Sequence, residues 1–392
     1  MTTPAAIREA TDSLVEAARR MAPEIAARAG EIEEGRRVPL DLINLMREAG
    51  FFRMLVPADV GGLQTDPVTA ARVVEEVSSA DGSTGWCVMI GNQNAAFSGL
   101  TDQGFARELW GSGGIAAGTA RPIGRAVARS GPGGGYIVSG RWPFASGSSH
   151  ADWFAGECVV YDGDAPRRDA NGDNVTRMVF VPATEVTLHD TWHTTGLRGT
   201  ASNDFSIDAA FVPEQRGFRM LVDEPRNGWP LFSTLPLLFI NHGSQSIGVA
   251  RSAIKEAARI MNTKRGWGDQ PLNANPRMQS VIAEATVVLE SARAYLYQTG
   301  FELWESAQAG RKDDALLHAR ARLATSHASR ASVHAVDLVH SAVGTTALFP
   351  SSPLERHFRD IHMAAAHVMV GQMTYEAAGR VELGLSPDFP FF

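Results

Sequence analysis

Residues 135–153 read Gly-Tyr-Ile-Val-Ser-Gly-Arg-Trp-Pro-Phe-Ala-Ser-Gly-Ser-Ser-His-Ala-Asp-Trp. The first half is β-rich, and the second is a run of small and hydroxyl residues suited to a tight turn. Trp142, Phe144 and Ser146 occupy alternate positions, so a strand through them sets two aromatic rings and a hydroxyl on one face. The neighbourhood is similar. Between Gly111 and Arg216 glycine is frequent, and the turn clusters Gly131-Pro132-Gly133-Gly134-Gly135 and Asp169-Ala170-Asn171-Gly172-Asp173 punctuate the chain. Short β-rich runs recur at Tyr136 to Val138, Trp153 to Val160 and Met178 to Val181, so a sheet with hairpins is expected.

On both sides of this unit the periodicity becomes helical. From Ile7 to about Phe52 apolar residues recur at helical spacing (Leu14, Ala17, Met21, Ile25, Ala29, Ile32, then Leu42, Leu45, Met46, Ala49). Pro23 is expected to kink or restart the first helix, Pro39 and Asp41 to start the next, and Gly50 to stop it. A further helix is predicted over Pro67 to Ser79. Gly85 to Leu100 reads as a buried helix whose exposed side carries Asn92 and Asn94. Beyond Pro230 four long helices are predicted, at Ile240 to Lys264, Pro276 to Ala309, Lys312 to Ala342 and Leu354 to Leu383, with Ala-rich, Leu-spaced faces that suit a bundle. The chain thus divides into a helical unit (1–112), a β unit (113–226) and a helix bundle (227–392).

Composition narrows the function. The 392 residues are 44% hydrophobic and 20% charged, the balance of a protein with a sizeable core. Lys plus Arg number 36 against 43 Asp plus Glu, a net charge of −7, so no basic field is available for nucleic acid or an anionic membrane. The two cysteines, Cys87 and Cys158, cannot supply a disulfide framework or a Cys-rich zinc site; packed thiols in a reducing cytoplasm are expected. Charged residues interrupt every apolar stretch of the opening MTTPAAIREATDSLVEAARR, so neither a signal peptide nor a membrane span is expected. The apolar run Leu231 to Ile240 is too short to cross a bilayer and contains Pro236. Gly131 to Gly135 lacks both the spacing and the strand-to-helix setting of a dinucleotide fingerprint, so NAD(P)H is not expected to bind.

The order helical unit, β unit, bundle is joined by three stretches, two in the β unit and one in the bundle, that carry a family resemblance. They are residues 135–153; Asp190-Thr-Trp-His-Thr-Thr-Gly-Leu-Arg-Gly-Thr-Ala-Ser-Asn-Asp204 followed by Phe211-Val-Pro-Glu214; and Arg356-His-Phe-Arg-Asp-Ile-His-Met-Ala-Ala-Ala-His367. They resemble the acyl-CoA dehydrogenase superfamily, and within it the two-component, reduced-flavin-dependent monooxygenases that include the oxygenase of 4-hydroxyphenylacetate hydroxylase and the dibenzothiophene monooxygenase. The resemblance covers nearly the whole chain. It implies an α+β fold with an N-terminal helical domain, a central barrel-like β domain and a C-terminal four-helix bundle. It also implies FMNH2 or FADH2 and O2 as co-reactants, a C4a-hydroperoxide shielded from water, and a separate NAD(P)H:flavin reductase. A small phenol- or indole-like substrate and a homotetramer complete the expectation. An FAD-dependent acyl-CoA dehydrogenase or oxidase, and a non-catalytic flavin-binding scaffold, are the alternatives.

The resemblance also assigns roles. Trp142 and Phe144 would wall the flavin, with Ser146 near its N5. Trp192, Arg198, Thr200 and Ser202 would form the second half of the slot, where Gly196 and Gly199 let the backbone approach closely. The family usually has glycine where this chain has Ala201. Arg265 stands where an arginine reaches flavin phosphates across a subunit interface. A dehydrogenase of this fold draws its carboxylate base from a Tyr-Glu-Gly-Thr segment, counted back from a characteristic Arg. Counting back from Arg380 lands near His367 and Val368, and Tyr375-Glu376 is followed by Ala377-Ala378. His367 is therefore the expected proton-transfer residue, chosen because imidazole titrates near neutrality, on a helical face shared with Asp360 and Met363. After the early Gly-Trp pair, here Gly85-Trp86, phenol hydroxylases of this group place a second histidine where this chain has Asn94. Asparagine orients a polar atom but exchanges no proton, which leaves His150 as the candidate for any second acid or base. His362 and His367 lie off one helical face, so no metal site is expected.

Overall fold

The computed structural model describes residues 4–129, 131, 133–311, 314–389 and 392. Pro132 of the first turn cluster and Lys312, the expected start of the third bundle helix, lie outside these. The helices are α1 Pro4–Ala27, α2 Ala29–Gly35, α3 Leu40–Glu48, α4 Pro67–Ala80, α5 Gly82–Ala96, α6 Gln103–Ala106, α7 Pro236–Thr263, α8 Pro276–Gln308, α9 Ala315–Val343, α10 Pro353–Ala365 and α11 Gln372–Glu382. The strands are β1 Ala116–Arg129, β2 Gly135–Ala145, β3 Trp153–Asp162, β4 Ala165–Pro166, β5 Thr176–Pro182, β6 Thr187–His189, β7 Asn203–Pro213 and β8 Gly217–Phe218.

Local chemistry sets these boundaries. Asp66 accepts from the backbone N–H of Thr69 at 2.9 Å and Pro67 opens α4, while Asp81 accepts from the N–H of Thr84 at 2.7 Å to start α5. Helix α1 runs through Pro23 without a break and ends at Ala27, so the expected restart falls four residues later. Among the described residues the sheet order is β6-β7-β2-β1-β3-β5-β8, with β4 on β3. The central pair β1 and β3 is parallel and the other ladders are antiparallel. Helices α1 to α5 cover one side of the site, α7 to α11 form the bundle, and Leu197 of the sheet unit joins the core of the N-terminal helices.

Two expectations are corrected. The single helix over Leu354 to Leu383 is two, because the backbone turns extended at His367 (ψ 137°) and Gly371 (ψ −178°) around a short 3-10 turn at Val368–Val370. His367 thus sits in the break and not on a face shared with Asp360 and Met363. Trp142 does not stand beside Phe144. A register shift between Trp142 and Ala145, with Phe144 at φ 67°, breaks the alternation of β2. Trp142 is wholly buried, stacks on Phe205 (centroids 5.0 Å apart) and donates its indole N–H to the carbonyl of Glu157 at 2.9 Å. Gly124, Gly140 and Gly156 make room for it: a Cβ on any of them would stand 2.8 Å or less from the indole ring. Trp142 is a core residue of the sheet.

Candidate active site

The three units meet at Trp86 on α5. Its Nε1–H donates to Oγ of Ser146 at 3.0 Å, just beyond β2, and its ring makes edge contacts with His242 on α7 and His367 after α10, each with centroids 5.6 Å apart. The two imidazoles stack on each other, centroids 4.5 Å apart and planes 23° from parallel.

A chain of buried hydroxyls continues from Ser146. Its Oγ lies 2.7 Å from Oγ of Ser202, which lies 2.7 Å from Oγ1 of Thr200, and Thr200 donates to the carbonyl of Leu197 at 2.8 Å. The loop holding Thr200 and Ser202 is tightly wound. Leu197 and Ala201 both adopt left-handed backbone angles (φ 48° and 45°), which explains why glycine suits position 201 and what its Cβ costs here, about 1–2 kcal/mol. The carboxylate of Asp360 accepts from the N–H of Leu197 at 2.6 Å and anchors this loop to the bundle. Burial, with Asp81 close by, raises Asp360 to about 7.

Outside this hydroxyl chain Phe144 is 56% exposed and meets the half-buried Trp192 edge-on at 6.3 Å. The Trp192 indole N–H is held by the carbonyl of Leu197 at 2.9 Å. An apolar ring held outward on a left-handed backbone suits one edge of a flat ligand. Phe144, Ser146, Trp192, Thr200 and Ser202 therefore come together; Trp142 does not join them. Arg198 is half-buried and turned toward the carbonyls of Glu33 and Thr194. Arg265 lies in the loop after α7, 58% exposed and paired with Asp269 at 2.7 Å.

The electrostatics correct the choice of histidine chemistry. Burial, aided by the charge of Arg322, pushes His367 down to about 4, so its ring is neutral at pH 7. Its Nδ1 accepts the N–H of Met369 at 3.3 Å, which leaves the proton on Nε2: the ring offers a donor to the site. His242 is likewise held neutral by burial, and neither of its nitrogens has a protein partner among the described residues. His150 is buried near Phe52 and Arg47, pushed down to about 4, with both nitrogens again unpartnered.

Asn92 and Asn94 are buried, not exposed, because α5 is enclosed on nearly every side. Asn94 donates to the carbonyl of Ala116 at 3.2 Å and Asn92 to those of Phe51 and Val88, so both amide donors tie the helix to neighbouring backbone. Sequence reasoning missed His242. Its signal was present, since Asn241, His242, Ser244, Gln245 and Ser246 interrupt an otherwise apolar stretch of α7 and all are buried. An open cleft of about 820 Å³ over Leu100, Arg177, Glu214 and Arg226 shares no lining residue with the site, and its charged walls do not suit a flat aromatic ring.

Comparison with known proteins agrees with this geometry. Residues 8–104 match the acyl-CoA dehydrogenase N-terminal domain and residues 240–372 the acyl-CoA dehydrogenase C-terminal domain. Indole-3-acetate monooxygenase of Pseudomonas putida is 31% identical over 370 residues, covering 92% of this chain and 91% of that protein. The flavin-dependent monooxygenase oxygenase subunit HsaA of Mycobacterium tuberculosis H37Rv is 29% identical over 398 residues, covering 96% of each. The structure of XiaF from Streptomyces sp. in complex with FADH2 and glycerol superposes with a TM-score of 0.87 at 25% identity, covering 98% of both chains.

Proposed function

The chain belongs to the reduced-flavin-dependent monooxygenases of the acyl-CoA dehydrogenase fold, and we propose that it is an oxygenase component that uses FMNH2 or FADH2 delivered by a separate NAD(P)H:flavin reductase to oxygenate a small phenol- or indole-like substrate. The observation that carries this reading is the convergence on Trp86 of a hydroxyl chain from the sheet and two neutral imidazoles from the bundle. Reduced flavin held there would supply the two electrons that activate O2, one atom of O2 going to the substrate and the other to water.

The residues present fit such a cofactor. Phe144 and Trp192 offer an apolar edge, and Ser146, braced by Trp86 and Ser202, presents a fixed hydroxyl to the ring. To Arg265, exposed and paired here with Asp269, we assign the phosphates of a flavin in a neighbouring copy, in keeping with the homotetramer proposed here. His367 donates through Nε2–H to a substrate oxygen or nitrogen and holds the ring in place; its partner His242 keeps it stacked and dry. Excluding water is the main catalytic task of the enclosure. No described helix is long and apolar enough to cross a membrane, and both cysteines are free and buried, which supports a cytoplasmic setting.

The test is to supply reduced FMN or FAD and ¹⁸O2 to the purified chain with indole and phenol substrates, and to measure isotope in product against hydrogen peroxide released. One labelled oxygen atom per product is expected. Reduction of bound flavin by an acyl-CoA without any reductase would instead establish a dehydrogenase.

A further inference from the structure

Arg322 on α9 is wholly enclosed, yet among the described residues no carboxylate pairs with it. Nη2 donates to the carbonyl of Met369 at 3.1 Å, and the guanidinium carbon lies 4.7 Å from the ring centre of Phe239. Nε and Nη1 have no acceptor among the described residues. Each long edge of a guanidinium carries two parallel N–H bonds and both edges share Nη2, so Met369 can occupy only one of them. One complete two-donor edge is thus left without an acceptor among the described residues, the geometry that a carboxylate satisfies with two hydrogen bonds.

A buried cation left alone costs several kcal/mol, so an arginine is not enclosed without an anion for nothing. Burial lowers Arg322 to about 10, still charged at neutral pH. Its position is next to the reacting centre: it holds the backbone two residues beyond His367, and its charge helps keep both His367 and His242 neutral. Other buried polar groups on α7 and α9 also lack partners among the described residues. Ser326, one turn further along the same face of α9, has a buried unpartnered hydroxyl, and Asn241 beside His242 has neither amide atom engaged.

We propose that Arg322 binds a carboxylate carried by the aromatic substrate, so that the substrate is an aromatic or heteroaromatic acid whose ring lies against Trp86 and the paired imidazoles. The flavin phosphates are the other source of such an anion, but the fork is enclosed in the bundle beside the imidazoles, whereas Arg265 is the exposed guanidinium. The fate of the ring rests on the monooxygenase reading above; recognition of the acid is a property of the flavin-free chain and can be measured without it.

The experiment is calorimetric titration of the flavin-free protein with three matched pairs: indole-3-acetate and indole-3-acetamide, phenylacetate and phenylacetamide, benzoate and benzamide. The wild-type chain is expected to bind at least one acid about tenfold or more tightly than its amide, which is ~1.4 kcal/mol. R322Q should erase that preference while leaving amide affinity within about threefold, and R322K should retain part of it. The proposal is overturned if no acid is bound in preference to its amide, or if R322Q keeps the preference. It is also overturned if R322Q weakens inorganic phosphate or FMN and not the acid. If R322Q does not fold, the wild-type pairs and R322K decide. A chain that selects the acid but yields no oxygenated product would sink the monooxygenase reading and leave this inference standing.

Discussion

His242 lies stacked on His367 with ring centroids 4.5 Å apart, and Trp86, from the N-terminal helices, meets both rings edge-on. Two neutral imidazoles in contact with an indole form a wall whose polarity, among the described residues, is the Nε2–H of His367 and the unpartnered nitrogens of His242.

Replacing His367 with alanine removes the donor. Product per reduced flavin consumed should fall about tenfold or more, with hydrogen peroxide rising to match and flavin affinity within about threefold of wild type. Because the folded pKa is about 4, wild-type coupling should not follow this group between about pH 6 and pH 9. Coupling assayed across that interval checks it; an inflection near the ordinary imidazole value would contradict the neutral-donor role.

Ser146→Ala interrupts the path from Trp86 to Ser202 and leaves the indole N–H buried without an acceptor. A stability loss of ~1–2 kcal/mol is expected, together with more peroxide and less product. Denaturant titration and a coupling assay separate the two effects; unchanged coupling in a folded variant takes Ser146 out of the reaction.

Trp142→Phe should behave in the opposite way. It partly empties the slot lined by Gly124, Gly140 and Gly156 and frees the Glu157 carbonyl, so the free energy of unfolding should drop by ~2–3 kcal/mol while flavin affinity and coupling stay near wild type. Loss of flavin affinity in a stable variant would return Trp142 to the cofactor wall.

Asp360→Asn tests the buried carboxyl that holds Leu197. The folded pKa is raised to about 7, mainly by burial, above the unfolded value near 3.8. The native state therefore holds a proton that the unfolded chain has released. Its stabilising contribution is complete below the unfolded value and is lost as pH rises toward and through about 7, on the order of 4 kcal/mol over the interval. Asparagine keeps the acceptor for the Leu197 N–H and does not titrate. The Tm of the variant minus that of wild type should become more positive from about pH 5 to about pH 8; a constant difference would show that Asp360 carries no displaced proton.

The long helices of the bundle were legible because their apolar positions repeat every turn: the predicted spans from Ile240 and from Pro276 correspond to α7 and α8 with ends shifted by a few residues. The break before His367 was not legible, because Ala364-Ala365-Ala366 favours helix locally, while the turn is capped by the ring of His367, whose Nδ1 accepts the Met369 N–H. Likewise, alternation along β2 put Trp142 and Phe144 on one face, and only a register shift against β7 separates them.

The amino-acid sequence by itself determined the order of helical, β and helical units and the hydroxyl and aromatic residues of the sheet loops. These are properties of neighbours along the chain, set by period and residue type. Only the tertiary structure decided that Trp86, His242 and Arg322, far apart in sequence, stand around His367, and that burial makes its imidazole a neutral donor. Proximity and desolvation arise when separate elements pack, and no local pattern encodes either.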